Sequence, residues 1–204
     1  MKYEKKYGRS VIVKALMAVA VGLLMTSCSS DSDVEEPIKP DTNTTVFEND
    51  MIRVDYILKN SAGQAVTTFK EGEDISFYLS ITNKSNEKIE KILSEQVISE
   101  DIFTVYSLDG SKEVGKPWDG FSWGVPSTST STHYNYVYKC SWLDANKVDE
   151  NGRPLDIEYG SGNIGFFTTK PRTPLPKGKY YTEFLLHIND GKTITCHKDF
   201  SVIP

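Results

Sequence analysis

A strict alternation of apolar and polar residues limits the fold of this chain of 204 residues more than any other feature. In the clearest stretch every second residue is a large hydrophobic one, and these residues are Ile75, Phe77, Leu79 and Ile81. Successive side chains of a β-strand point to opposite faces, so a period of two predicts a strand with one buried face. A helix would need a period near 3.6, and no stretch has one convincingly. The chain is therefore predicted to be an all-β protein.

The same alternation recurs along the chain between turn signals. Further strands are predicted at 52–58, 65–69, 102–108 and 133–142, whereas 88–93 fits either a strand or a helical turn. The chain closes with two alternating runs, 179–188 and 193–203, joined by Asn-Asp-Gly-Lys. Asp-Gly between alternating runs is a strong hairpin signal. Seven or more short strands predict an antiparallel two-sheet sandwich, which we place in residues 46–204 as one domain.

The first 27 residues are predicted to be a signal peptide. A basic start is followed by an apolar run to Met25, which is too short to span a membrane because spanning needs about 20 residues. Small residues then precede Cys28. This arrangement resembles the lipoprotein box of bacterial lipoproteins, although Met25 stands where that pattern more often has Leu. The resemblance implies that Cys28 becomes the lipidated first residue and that several acyl chains hold the protein on a membrane.

Residues 28–45 are polar, acidic and Pro-containing, so we predict a disordered tether there. Acidic residues directly after the lipidated cysteine also resemble the surface-export signal of some Gram-negative lipoproteins, while a plain solvated linker is the alternative. The expected location is the outer membrane, with the folded part exposed at the cell surface. The net charge of −5 and the lack of a basic patch exclude nucleic acid as a partner.

Two segments carry a family resemblance. The first reads Phe-Lys-Glu-Gly-Glu-Asp-Ile-Ser-Phe-Tyr-Leu-Ser-Ile-Thr-Asn from position 69, and the second reads Pro-Leu-Pro-Lys-Gly-Lys-Tyr-Tyr-Thr-Glu-Phe from position 174. With the flanking strands, these segments look like an immunoglobulin-like secreted domain, similar in layout to the intracellular proteinase inhibitor family. The matching parts cover 52–82 and 174–203. The resemblance implies an immunoglobulin-like fold, whereas inhibition does not follow from the fold alone.

Cys140 and Cys196 are the cysteines that remain after Cys28. Cys196 shares strand parity with Ile194 and Phe200, and Cys140 shares it with an aromatic stripe along 134–142. Both are therefore expected to point inward. An even pair in an oxidising compartment predicts a disulfide between them, with two buried free thiols as the alternative.

Patterns that would carry catalysis or bind metal are incomplete. Gly120 to Gly124 fits the G-x-S-x-G pattern around Ser122, but the nucleophile elbow needs a helix after the serine and Pro126 follows closely. A calcium-loop pattern ending at Glu158 has Lys147 at its first ligand position. The three histidines have no short ligand spacing. No catalytic residue, metal or cofactor is predicted.

Aromatic residues are concentrated between positions 118 and 142. The tyrosines at 134–138 are expected to pack in the core, whereas Trp118, Phe121 and Trp123 lie in a predicted loop and are the predicted ligand-binding residues. The leading hypothesis is a non-catalytic, lipid-anchored binding or adhesion module that recognises a glycan or a protein. The alternatives are a protease inhibitor of immunoglobulin-like fold and a serine hydrolase using Ser122. Neither the ligand nor the oligomeric state is predicted.

Overall fold

Strands make up nearly all the regular structure of the residues that the structure describes, as the alternation predicts. The computed structural model describes residues 38–87, 93–123, 135–143, 164–169, 172–188 and 191–204, all within the unit Glu35–Pro204. These residues form β1 (Thr45–Glu48), β2 (Ile52–Lys59), β3 (Thr68–Lys70), β4 (Ser76–Asn83), β5 (Leu93–Ile98), β6 (Val105–Ser107), β7 (Lys112–Gly115), β8 (Gly120–Trp123), β9 (Asn135–Ser141), β10 (Ile164–Phe167), β11 (Gly178–Ile188) and β12 (Thr193–Ile203). A short 3₁₀ helix, Asp109–Ser111, lies between β6 and β7. The predicted signal peptide, Cys28 and most of 144–171 lie outside the described residues.

The strands form three sheets. The first is antiparallel, with the order β1-β2-β4-β9. The second has the order β3-β12-β11-β6-β7, with β5 also paired to β11, and it is mixed because β3 runs parallel to β12. The third is the antiparallel pair β8 and β10. The predicted all-β class, with more than seven strands, is confirmed.

The predicted dry face of β2 and β4 is confirmed. Tyr56 and Leu58 on β2 are fully buried, and so are their register partners Leu79 and Phe77 on β4. Directly opposite residues of an antiparallel pair point to the same side, so the two alternating runs combine into one apolar layer. Each fully buried side chain of this size contributes about 1.5–3 kcal/mol.

The predicted closing hairpin is also confirmed, and its inner face contacts the first sheet. Phe184 on β11 lies opposite Cys196 on β12, and both are buried. The ring of Tyr56 meets the ring of Phe184 edge-on at 5.0 Å. Its hydroxyl lies 2.9 Å from Thr182 Oγ1, which satisfies a polar group in the core. Burial raises the pKa of Tyr56 well above its ordinary value.

Phe103 lies at the centre of this core and departs from the predicted strand 102–108. Its φ is +66°, and its neighbours form a turn in which Thr104 N and Thr104 Oγ1 donate to Asp101 O at 2.9 and 2.7 Å. The strand therefore begins only at Val105. The turn drives a fully buried phenylalanine between the sheets, where its ring contacts the rings of Tyr56, Phe77, Phe166 and Phe184.

The last residues of the predicted tether belong to the folded part. Lys39 O accepts a hydrogen bond from Thr67 N at 2.9 Å, and Thr44 O accepts one from Tyr56 N at 2.8 Å. Residues 39–44 thus run along the body of the protein and end at β1. The end of the predicted tether is therefore attached to the fold before the predicted domain start at residue 46, because its backbone carbonyl groups find partners there.

An ion pair fixes this segment to the last strand. Lys198 lies on the inner side of β12, between Cys196 and Phe200, and is only 8% exposed. Its Nζ donates to Asp41 Oδ2 at 2.8 Å and to Asn43 O at 2.6 Å. The side chain of Asp41 is itself 4% exposed. Lysine is rarely buried without a partner, and residues 41–43 supply the counter-ion and the hydrogen-bond acceptor for the buried Lys198 ammonium.

Among the residues that the structure describes, no helix is long and apolar enough to cross a membrane.

Candidate functional site

Trp118, predicted to contact a ligand, is part of the core. Its side chain is 6% exposed, and its indole Nε1–H donates to Ile102 O at 2.8 Å. The ring packs on Phe166 at 5.3 Å, and Lys116 Nζ lies 4.0 Å from the ring centroid. A side chain enclosed in this way offers little surface to a ligand, so its burial does not support the contact predicted for Trp118.

The predicted loop around Phe121 is a strand. Residues 120–123 form β8, in which Phe121 pairs with Phe166 and Trp123 pairs with Ile164. Phe121 is 49% exposed and meets the edge of Trp118 at 6.2 Å, so this predicted ligand-binding residue is accessible. The side chain of Trp123 lies outside the described residues. The prediction of a loop fails because the partner strand β10 is distant in sequence.

Ser122 lies within β8, opposite Gly165. A nucleophile elbow places the serine on a sharp turn between strand and helix, whereas here the strand continues to Trp123. The first glycine of the pattern has a packing role instead. A Cβ at Gly120 would clash with the Phe167 ring, which covers this position across the strand pair.

The predicted disulfide is not present in the structure, in which Cys140 and Cys196 are not joined to each other. They lie on different sheets, and β12 packs over β1 and β2, whereas Cys140 is on β9, two strands further across the first sheet. Two strand spacings amount to roughly 10 Å, more than a disulfide spans between Cα atoms. The Cys140 thiol donates instead to Pro117 O at 3.7 Å. The inward direction predicted for Cys196 is confirmed by its complete burial.

Thiol reactivity checks this arrangement. Burial raises the pKa of Cys196 from an ordinary value of 9.0 to about 12, so its thiolate fraction near pH 8 falls about a thousandfold. We expect iodoacetamide, without reductant, to modify Cys196 only after unfolding, and Cys140 to be modified earlier. Peptide mapping by mass spectrometry measures both sites. Failure of both to react after unfolding without reductant would contradict the absence of a disulfide.

The outer face of the second sheet carries the most distinctive surface group among the described residues. Tyr106, Tyr181 and His197 lie side by side on β6, β11 and β12, and we call them the tyrosine strip. The Tyr106 and Tyr181 rings are 5.0 Å apart with an interplanar angle of 15°, and Tyr181 and His197 are 5.4 Å apart at 24°. Three rings are thus stacked in a continuous row across three hydrogen-bonded strands.

Strand register builds the tyrosine strip. Tyr181 lies opposite Tyr106 on one side and opposite Asp199 on the other, while His197 lies opposite Glu183. All five residues therefore have the outward parity of their strands. The ring separations are close to the spacing of adjacent strands, about 4.8 Å, so rings on neighbouring strands stack face to face. Tyr106 and Tyr181 are half-buried, and His197 is exposed.

Carboxylates surround the tyrosine strip. His197 Nδ1 lies 2.9 Å from Glu183 Oε2, and His197 Nε2 lies 3.2 Å from Asp199 Oδ1. The ring donates to both carboxylates only as an imidazolium, because neutral histidine has one N–H. Burial raises the pKa of Tyr106, and the charges of Asp101 and Glu113 raise it further, which indicates a negative potential at this hydroxyl.

Sequence reasoning placed Tyr106 and Tyr181 in strands but did not single them out. The available signal was parity, because in 179–188 the positions that alternate with the buried residues include Tyr181 and Leu185 rather than polar residues alone. Strand parity could not predict that Tyr106 lies beside Tyr181, because the pairing of β6 with β11 is a tertiary contact.

Within the described part of the chain, no group of three or more His, Cys, Asp or Glu side chains is placed to hold a metal ion. Comparisons of the chain with protein-family models, curated proteins and solved structures found no match. The resemblance to immunoglobulin-like lipoproteins and inhibitors therefore stays a prediction.

Proposed function

We propose that this protein is a non-catalytic binding module of the bacterial cell envelope, anchored in the outer membrane by lipid on Cys28, and that it holds a glycan or protein ligand on the tyrosine strip. The anchoring part rests on the basic start, the short apolar run and the small residues before Cys28. The binding part rests on one observation, the stacked row of Tyr106, Tyr181 and His197 on an outer sheet face.

The properties of these side chains support a binding role. Tyrosine combines a large apolar ring with a polar tip, and it is enriched where proteins hold ligands and partners. Here two tyrosines lie on β6 and β11, inside a hydrogen-bonded sheet rather than on a loop. A site on rigid strands loses little conformational entropy when a ligand binds.

The finer fold assignment that we propose is an immunoglobulin-like sandwich. Tyr180, near the start of β11, donates its hydroxyl to Pro176 O at 2.7 Å. This bond is similar to the tyrosine corner of such domains, in which a tyrosine near a strand start bonds to backbone a few residues upstream. Buried Trp142, whose Nε1–H donates to Thr173 O, adds a core tryptophan of the kind found in these sandwiches.

The test compares two surfaces of the same protein on a glycan array and a panel of envelope proteins. In the double variant Tyr106→Ala and Tyr181→Ala, binding is expected to weaken at least tenfold, because central tyrosines commonly contribute most of the binding energy. The matched control is Tyr78→Ala on β4, which removes a tyrosine with the outward parity of the first sheet. Retained binding in the double variant, with loss in Phe121→Ala, would return the site to the predicted position on β8.

A further inference from the structure

We propose that the ligand of the tyrosine strip is a protein segment rich in lysine or arginine, whose cationic side chains contact Glu183 and Asp199. This inference rests on the proposed function. The strip and these carboxylates occupy one continuous surface. Tyr181 lies opposite Asp199, and His197 lies opposite Glu183.

The stacking geometry disfavours a sugar. Carbohydrate recognition by aromatic residues uses open ring faces against which a sugar ring can lie. In the tyrosine strip, Tyr181 has Tyr106 on one side and His197 on the other, at 5.0 and 5.4 Å. Its ring faces are covered, and the edges and hydroxyl tips remain for a ligand. Ring edges can contact the aliphatic part of a ligand's side chains, and the hydroxyl groups can form hydrogen bonds with it.

Charge determines which side chains fit. Four carboxylates belong to this surface: Glu183 and Asp199 contact His197, Glu113 lies opposite Tyr106, and Asp101 acts on the Tyr106 hydroxyl. Lys179, two positions before Tyr181, is the cation with the same outward parity on β11. Anionic groups would be repelled here, whereas a guanidinium or ammonium would be attracted.

The two central carboxylates retain capacity for a ligand. Glu183 uses Oε2 and Asp199 uses Oδ1 to contact His197, which leaves the second oxygen of each. Their side chains are 48% and 71% exposed. An arginine fork binds two carboxylate oxygens in a fixed geometry. Lysine and arginine also carry apolar stems, and Leu185, 43% exposed and next in outward parity along β11, offers an apolar surface beside Glu183.

The experiment uses the full protein purified from membranes in detergent, immobilised for interferometry. The probes are a Gly-Ser peptide carrying several arginines, the same peptide with glutamates, and cellohexaose. We expect the arginine peptide to bind, the glutamate peptide not to bind, and binding to weaken as ionic strength rises. The double variant Glu183→Gln and Asp199→Asn keeps side-chain shape and should weaken binding about tenfold or more. The control, Glu48→Gln on β1, removes an exposed carboxylate from the other sheet and should leave binding unchanged.

The outcomes separate this inference from the proposed function. Equal binding of the arginine peptide to the protein and to the Glu183→Gln and Asp199→Asn variant would overturn the inference. Binding of cellohexaose that depends on Tyr181 but not on these carboxylates would also overturn it, while the proposed function would stand. Concentration-dependent self-association in sedimentation velocity, abolished by Tyr181→Ala, would identify a second copy as the occupant and overturn it as well. Absence of binding to the peptide probes, the glycan array and the panel of envelope proteins would overturn both.

Discussion

Replacing Asp41 by Ala is expected to lower the free energy of unfolding by about 3–5 kcal/mol, because it leaves a buried ammonium without its counter-ion. Lys198 is 8% exposed, and Asn43 O would be its remaining partner among the contacts described above. Chemical denaturation followed by circular dichroism measures the change. Residues 39–44 should also become sensitive to protease in the variant, since the pair ties this segment to β12.

An exposed ion pair of the same protein provides the control. Glu48 contacts Lys84 at 2.7 Å, with side-chain exposures of 44% and 37%, so solvent screens the pair and Glu48→Ala should change stability little. The double variant Asp41→Asn and Lys198→Met removes both charges and should recover much of the loss. Equal effects of Asp41→Ala and Glu48→Ala would contradict the structural role of the Asp41–Lys198 pair.

Replacing Phe103 by Ala is expected to cost about 3–5 kcal/mol, the range for removing a large aromatic side chain from a core. Phe103 is fully buried and contacts four other aromatic rings. Its φ of +66° distinguishes this site from an ordinary core position, because a replacement by glycine would also relieve backbone strain. L-residues with a side chain pay about 1–2 kcal/mol in that region, whereas glycine does not.

Glycine should therefore be at least as well tolerated as alanine at position 103, although it is normally the worse replacement. The matched control is Phe184, a buried phenylalanine on β11 that contacts Phe103, where Phe184→Gly should be less stable than Phe184→Ala. Thermal and denaturant unfolding of the four variants measure the order. A lower stability of Phe103→Gly than of Phe103→Ala would show that the turn conformation carries no strain.

The long strands were predictable because their alternation is strong and local. β2, β4, β11 and β12 each contain many residues with a period of two, and the structure buries one alternating set of residues in each of the four. Short elements gave no such signal. β8 has four residues with a glycine at its start, and its sequence reads equally well as a loop until β10 pairs with it.

The candidate site was harder to predict than the core. Trp118 follows Pro117 in a stretch with turn residues, which favoured an exposed position, yet its indole N–H finds Ile102 O inside the protein. Cys140 and Cys196 both share parity with inward residues, but parity does not say how far apart two inward residues lie. The tyrosine strip needs the register between β6 and β11, which joins distant parts of the chain.

The sequence by itself determined that the chain is built from strands and which residues of each long strand share a face, because side-chain direction in a strand follows from local backbone geometry. The tertiary structure decided which faces meet, which short segments become strands, which polar groups are buried in pairs such as Asp41 and Lys198, and which rings stack on the outside. Those outcomes depend on strand order and register, and these are fixed by the packing of the whole core rather than by neighbouring residues.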